Sequence, residues 1–231
     1  GLTGFDILFL DREHTSMSWE NLEFMVLTAN SIGLATMIRV EENNPVLIRK
    51  VFEIGADSVM VPHICTRDDA VKAVKAAKFP PNGIRSAASG LRCARYRVHD
   101  WPSFVKWSNE NTMVSILIED VNALKNLDDI LTVKGIDAVC FGALDFSLSA
   151  GLMGLREHPK VKDAFNQILD KCKAKDIPVI FTPAKVESNE IKSLIDKGVR
   201  ILVLTNEIKA FLSECNEIMD ILKGCEESLD S

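Results

Sequence analysis

The stretch FDILFLDREHTS, Phe5 to Ser16, opens as a buried strand and runs directly into Asp11, Arg12, Glu13 and His14, four ionisable residues with nothing apolar between them. The same pattern recurs along the chain. LATMIRV (34–40) carries Arg39 near its end, SVMVPHI (58–64) carries His63, TMVSILIE (112–119) closes on Glu119, and AVCFGA (138–143) is followed by Asp145. With PVIFTP (178–183) and ILVLTN (201–206) that makes seven short runs whose apolar residues are nearly continuous. Such runs suit strands buried on both faces of a parallel sheet whose outside is covered by helices.

Helical segments fill most of the gaps. WENLEFMVLTANSIG sets Leu22, Met25, Val26 and Ala29 at helical spacing, with Ser18 as cap and Gly33 as stop. NPVLIRKVFEIGA has Pro45 in its first turn and Gly55 at its end. HPKVKDAFNQILDKCKAKDIP is expected to be the longest such helix, SNEIKSLIDKGV is expected to be capped by Ser188 and stopped by Gly198, and KAFLSECNEIMDILKGC reads as an amphipathic C-terminal helix.

Alternating strands and helices over this length fit either a (β/α)8 TIM barrel or a doubly wound open sheet. No G-x-G-x-x-G follows any strand, which removes the main support for dinucleotide binding. Polar residues cluster instead after several different strands, and in a barrel all of those ends open onto one carboxyl-terminal rim. The barrel is therefore expected. It needs eight strands, and the eighth candidate, IRSAAS (84–89), is weak; the alternative expectation is that the first strand and helix lie upstream of residue 1.

Composition narrows the class of partner. The 231 residues are 47% hydrophobic and 26% charged, enough for one large domain with a sizeable core. A net charge of −6, from 27 basic and 33 acidic residues, argues against nucleic acid and against a polybasic membrane anchor. No apolar run approaches the ~18 residues of a membrane span, and GLTGFD lacks the features of a signal peptide, so the expected location is cytoplasmic. The six cysteines form no C-x-x-C pair and read as core or surface thiols.

Glu119 and Asp145 end successive strands, and neighbouring strands lie about 4.8 Å apart. Two carboxylates that close repel unless a cation lies between them. A divalent ion with oxygen ligands and open positions, Mg²⁺ or Mn²⁺ with Co²⁺ as a further option, resolves the conflict. The alternative is that both cap the helices that follow. His14 comes three residues after Asp11, so its ring could donate to that carboxylate and act as a general base. His63 lacks an acidic neighbour in sequence and reads as part of the rim. Arg39 is the one charge in LATMIRV and must find anionic company, from solvent or a substrate oxyanion.

Taken together, GFDILFLDREH (4–14), IRVEENNPVLIRKVFEIGADSVMVPHI (38–64), FPPNGIRS (79–86), ILIED (116–120), KGIDAVCFGALDFSLSAG (134–151) and HPKV (158–161) resemble the HpcH/HpaI aldolases, over nearly the whole chain. The resemblance implies a (β/α)8 barrel, a single domain over residues 1–231, and a hexamer of dimers that exchange C-terminal helices. It implies cleavage of a 4-hydroxy-2-oxo acid to pyruvate and an aldehyde. In that scheme Glu119 and Asp145 hold the metal, His14 is the base with Asp11 as its orienting partner, and Arg39 stabilises the enolate oxygen. The backbone amides of Leu144 and Asp145 hold the pyruvate carboxylate. Some positions depart from the family pattern: Arg12 stands where glycine is usual, Leu117 where glutamine is, Ala143 where proline is, Asn44 where aspartate is, and the loop after Arg85 reads SAASG. Arg12 could bind an extra substrate carboxylate, so an oxaloacetate-like decarboxylase stands as one alternative. A barrel that has lost turnover and serves in binding or assembly is the other.

Overall fold

A computed structural model describes residues 1–229, with side-chain surroundings as far as Cys225. Its strands are β1 (Ile7–Asp11), β2 (Ala35–Arg39), β3 (Ser58–Val61), β4 (Met113–Ile118), β5 (Ala138–Phe141), β6 (Val179–Phe181) and β7 (Val199–Leu202). All pair in parallel, and their order in the sheet is their order in the chain. A doubly wound sheet reverses its strand order at a switch point, and this one never does.

Seven strands form where the barrel expectation requires eight, and among the described residues β7 has no ladder to β1. The weak eighth candidate, residues 84–89, is not a strand. Its first amides are spent on the end of the preceding helix: Ile84 N–H donates to the Lys75 carbonyl at 2.8 Å and Arg85 N–H to that of Lys78 at 2.9 Å. Those two amides are not available to start a ladder.

The helices are α1 (Trp19–Ser31), α2 (Pro45–Glu53), α3 (Arg67–Ala77), α4 (Trp101–Asn111), α5 (Val121–Lys125), α6 (Leu127–Ile130), α7 (Ala143–Ser149), α8 (Pro159–Lys173), α9 (Ser188–Lys197) and α10 (Glu207–Leu229). Ser18 caps α1 by accepting from Asn21 N–H at 3.2 Å, and Leu22, Val26 and Ala29 are buried while Met25 is exposed. Asn44 caps α2 in the same way, and Thr66 and Asp69 cap α3 reciprocally. Two expectations need correction. Ser188 is the first residue of α9, behind an N-cap at Glu187 whose side chain makes no capping hydrogen bond. The longest helix is α10, with 23 residues against 15 in α8. Gly198 ends α9 at φ 109°, as expected for a left-handed stop.

Side chains alternate across the sheet, and the apolar ones separate into two clusters accordingly. Ile38, Val59, Val61, Val114, Ile116, Ile118, Val139 and Phe141 pack toward the helices. Met37, Met60, Leu117, Ala138, Cys140 and Ile180 form a smaller cluster on the other face, joined by Ile7 and Phe9. Each fully buried aliphatic side chain is worth roughly 1.5–3 kcal/mol relative to exposure, so the larger, helix-facing layer supplies most of the stabilisation. The smaller cluster decides where the polar residues go. Counting by two from Phe9, Met37 and Leu117 leads to Asp11, Arg39 and Glu119, on that same face at the carboxyl ends of β1, β2 and β4.

Candidate active site at the carboxyl ends of the strands

Asp11 and Arg39 are register partners in β1 and β2. The guanidinium donates from Nε to Asp11 Oδ1 at 2.9 Å and from Nη2 to Oδ2 at 2.7 Å. Burial alone would push the Asp11 carboxyl up, but the paired guanidinium and the N–H groups of Glu13 and His14 hold it below the ordinary 3.8. For Arg39 burial works against the charge, and Asp11, Glu13 and Glu119 together more than restore it.

Glu13, which sequence alone leaves unassigned, lies at the centre of the cluster with its side chain 8% exposed. Its Oε2 is 3.0 Å from Arg39 Nη1, and its Oε1 is 3.1 Å from His63 Nε2. The Arg39 contact is an ion pair without hydrogen-bond alignment, which leaves Glu13 Oε2 buried with no hydrogen bond. His63 completes a bridge: its Nδ1 is 3.1 Å from Glu119 Oε1, and its backbone N–H donates to the same oxygen at 2.9 Å. Alternation would set residue 63 with Val61 on the helix-covered face. A left-handed backbone at His63, φ 58°, turns its ring and amide toward Glu119 instead.

Glu119 follows β4 and is 6% exposed. Burial pushes its carboxyl above the usual range, the amide and ring of His63 draw it back, and Glu13 and Asp145 add to the rise. Gly142, just after β5, makes room for it: a Cβ there would lie 2.7 Å from Glu119 Cβ and 3.2 Å from Oε2. Glu13, His63 and Glu119 each offer a ligand atom within 4.8 Å of the others. Converging carboxylates, one orphaned buried oxygen and a nitrogen donor fit a divalent cation.

The remaining sequence candidates fall around this core. Asp145 is in the first turn of α7, half-buried; it stands outside the three-donor group but is close enough for its charge to act on Glu119. Leu144 precedes it, half-exposed, and both amides belong to the helix turn whose N–H groups lack intrahelical acceptors. The His14 ring is exposed and is not held by Asp11 as expected: that carboxylate is taken by Arg39, and the ring's acidic neighbour is Glu13 Oε2 at 3.7 Å. Arg12 pairs with Glu41 at 2.8 Å, donates to the Met17 carbonyl and lies over the Trp19 ring at 4.7 Å. Glu119 does not cap α5, whose N-cap is Asp120. Leu117 is buried in the smaller apolar cluster beneath the site.

Residues 1–213 match the family model described as HpcH/HpaI aldolase/citrate lyase. The chain belongs to that family. Among its relatives, the 2-dehydro-3,6-dideoxy-6-sulfogluconate aldolase of Pseudomonas putida is 30% identical over 224 residues, covering 97% of this chain and 86% of that protein. The 5-keto-4-deoxy-D-glucarate aldolase of Citrobacter koseri is 27% identical, covering 96% and 85%. In fold, the chain superposes on the HpcH/HpaI aldolase of Desulfitobacterium hafniense with a TM-score of 0.90 at 23% identity, over 96% of this chain and 85% of the other. Among the described residues of this HpcH/HpaI chain, no helix is long and apolar enough to cross a membrane.

Sequence reasoning missed Glu13 and undervalued His63. The signal for His63 was its place just after β3, at the same end of the sheet as Arg39 and Glu119; its acidic partners follow β1 and β4 and are remote in sequence. Cys140 is buried, its thiol pushed up by burial to about 12, which disfavours the nucleophilic thiolate.

Proposed function

We propose that the chain is a divalent-metal-dependent aldolase that cleaves a 4-hydroxy-2-oxo acid to pyruvate and an aldehyde, and runs the reverse addition. The aldolase class follows from family membership. The observation that carries the metal-dependent reading is the convergence of Glu13, His63 and Glu119, with Asp145 nearby, on the face and rim that Arg39 shares.

Glu119 and Asp145 would hold Mg²⁺ or Mn²⁺, with Glu13 and His63 able to complete the donor set. Bound there, a divalent ion acts as a Lewis acid on the 2-oxo acid. The chain's own residues do the rest. Arg39, already fixed by Asp11, presents cationic charge where the enolate oxygen develops as the bond between C3 and C4 breaks. His14 takes the proton from the 4-hydroxyl; its exposed ring is free to meet a substrate entering from solvent. The amides of Leu144 and Asp145 receive the substrate carboxylate. Asp11 acts through Arg39, as the residue that orients it.

The same reading extends to architecture. Seven parallel strands in chain order are the pattern of a (β/α)8 barrel, of which the described residues supply seven strands. The helix α10 leaves Ile208, Phe211, Ile218 and Ile221 more than half exposed, which supports its exchange with a neighbouring subunit in a homo-oligomer of the family's hexameric kind. The test is pyruvate release, followed with Mn²⁺ over a panel of 4-hydroxy-2-oxo acids and oxaloacetate. Cleavage of at least one hydroxy-oxo acid in preference to oxaloacetate is expected; preference for oxaloacetate would point to the decarboxylase instead.

A further inference from the structure

At the end of the sheet opposite the catalytic rim, the chain forms a cavity of about 570 Å³. Asp57 and Thr112, one residue before β3 and β4, line it, whereas Glu119 lies past the far end of β4. Seven residues of extended chain put the two sites about 20 Å apart. The volume suits a small organic ligand.

The unusual member of its wall is Arg85, a guanidinium that stays charged at any working pH and is 4% exposed. Among the described residues no carboxylate pairs with it. Its bonds go to neutral groups, Ser108 Oγ at 3.2 Å and Cys93 Sγ at 3.7 Å, and its Nε has no partner. Its guanidinium carbon lies over the rings of Phe79 and Phe52, 4.4 and 5.2 Å from their centroids. Burial draws its pKa down, and Glu53, the carboxylate whose charge reaches it, is paired with Arg49 at 3.3 Å.

The rest of the wall adds to the imbalance. Arg92 and Arg95 also line the cavity and form no ion pair among the described residues; Arg92 donates to the Ile54 carbonyl at 3.1 Å. The cavity's one carboxylate, Asp57, is engaged by the N–H and hydroxyl of Thr36 at 2.8 and 3.0 Å. Over this cationic interior stand Tyr96 and Trp107, 66% and 54% exposed. A buried cation without a counter-ion is costly, and an incoming anion removes that cost. Guanidinium forks recognise carboxylate and phosphate, and open aromatic rings accept a flat apolar group.

We propose that this cavity is a second binding site, separate from the catalytic rim, for a small anion that joins a carboxylate or phosphate to a flat apolar body. The test is isothermal titration of the whole chain with phenyl phosphate, benzoate and benzyl alcohol, in EDTA so that no metal recruits anions to the rim. At least one anion should bind once per chain with Kd below about 1 mM, and benzyl alcohol at least about tenfold more weakly. The two anions distinguish phosphate from carboxylate recognition. Arg95→Ala, at an exposed position that spares the fold if Arg85→Met does not, should weaken binding about tenfold or more. It should leave aldol turnover unchanged, and Arg39→Met should leave anion affinity unchanged. No binding by either anion, equal binding of benzyl alcohol, unaltered affinity in Arg95→Ala, or loss of binding in Arg39→Met would each overturn the proposal.

Discussion

Arg39 grips Asp11 through two parallel hydrogen bonds of 2.9 and 2.7 Å, across the paired ends of β2 and β1. The pair fixes a guanidinium on which the charges of Glu13 and Glu119 both act. Lysine cannot reproduce that fork. Arg39→Lys should lower kcat/KM for cleavage by about 10²- to 10³-fold, the usual cost of losing an oxyanion donor. Steady-state kinetics on the best hydroxy-oxo acid checks it.

The same pair sets an acid limit. Because the Asp11 carboxyl is held below 3.8, the stability it contributes is fully present above that value and is lost as pH falls through the lower, folded value. Carbon-13 NMR of the Asp11 carboxyl should give a midpoint below 3.8 in the wild type and a higher one in Arg39→Met. Equal midpoints would show that the fork does not control the charge.

The His14 ring stands apart from Asp11, the acid it was expected to lean on, and has Glu13 as its acidic neighbour. If it is the base, His14→Ala should lower kcat by roughly 10²- to 10⁴-fold while Mn²⁺ affinity stays within about twofold. Joint loss of both would assign His14 to the metal site instead.

Glu13, two residues past Asp11, and His63, which alternation would turn away, are candidate donors beside Glu119. Glu13→Gln should weaken Mn²⁺ binding about 10- to 100-fold, a typical loss for a ligand or its supporting group. His63→Ala should weaken Co²⁺ and Zn²⁺ binding more than Mg²⁺, because imidazole suits the borderline metals and oxygen the hard ones. Calorimetry on each variant gives the order directly.

Much of this was legible in the sequence, for a physical reason. The strands are buried on both faces, so their apolar runs are unbroken and their ends stand out, and Asp11, Arg39 and Glu119 each mark one. What was not legible depends on contacts between strands. Asp11 looked like a partner for His14 because the two are close in sequence, yet parallel register brings Arg39 to it instead. His63 seemed isolated because its acids come from β1 and β4, and because a left-handed turn defeats the alternation that would otherwise place it. Residues 84–89 passed for a strand because nothing local showed their amides bonding back to α3.

Gly142 offers a steric test of the same geometry. Gly142→Ala puts a methyl 2.7 Å from Glu119 Cβ, so Glu119 must move. A loss of about 1–3 kcal/mol in stability is expected from such overpacking, together with weaker Mn²⁺ binding. Thermal denaturation with and without Mn²⁺ separates the two effects.

Dependence of cleavage on a divalent ion held at Glu119 is checked by pyruvate release from chelator-stripped protein before and after Mn²⁺ is restored. Turnover should be absent when stripped, return on addition of Mn²⁺, and stay absent in Glu119→Gln at the same Mn²⁺ concentration. Full turnover in the stripped protein, or in Glu119→Gln, would contradict it.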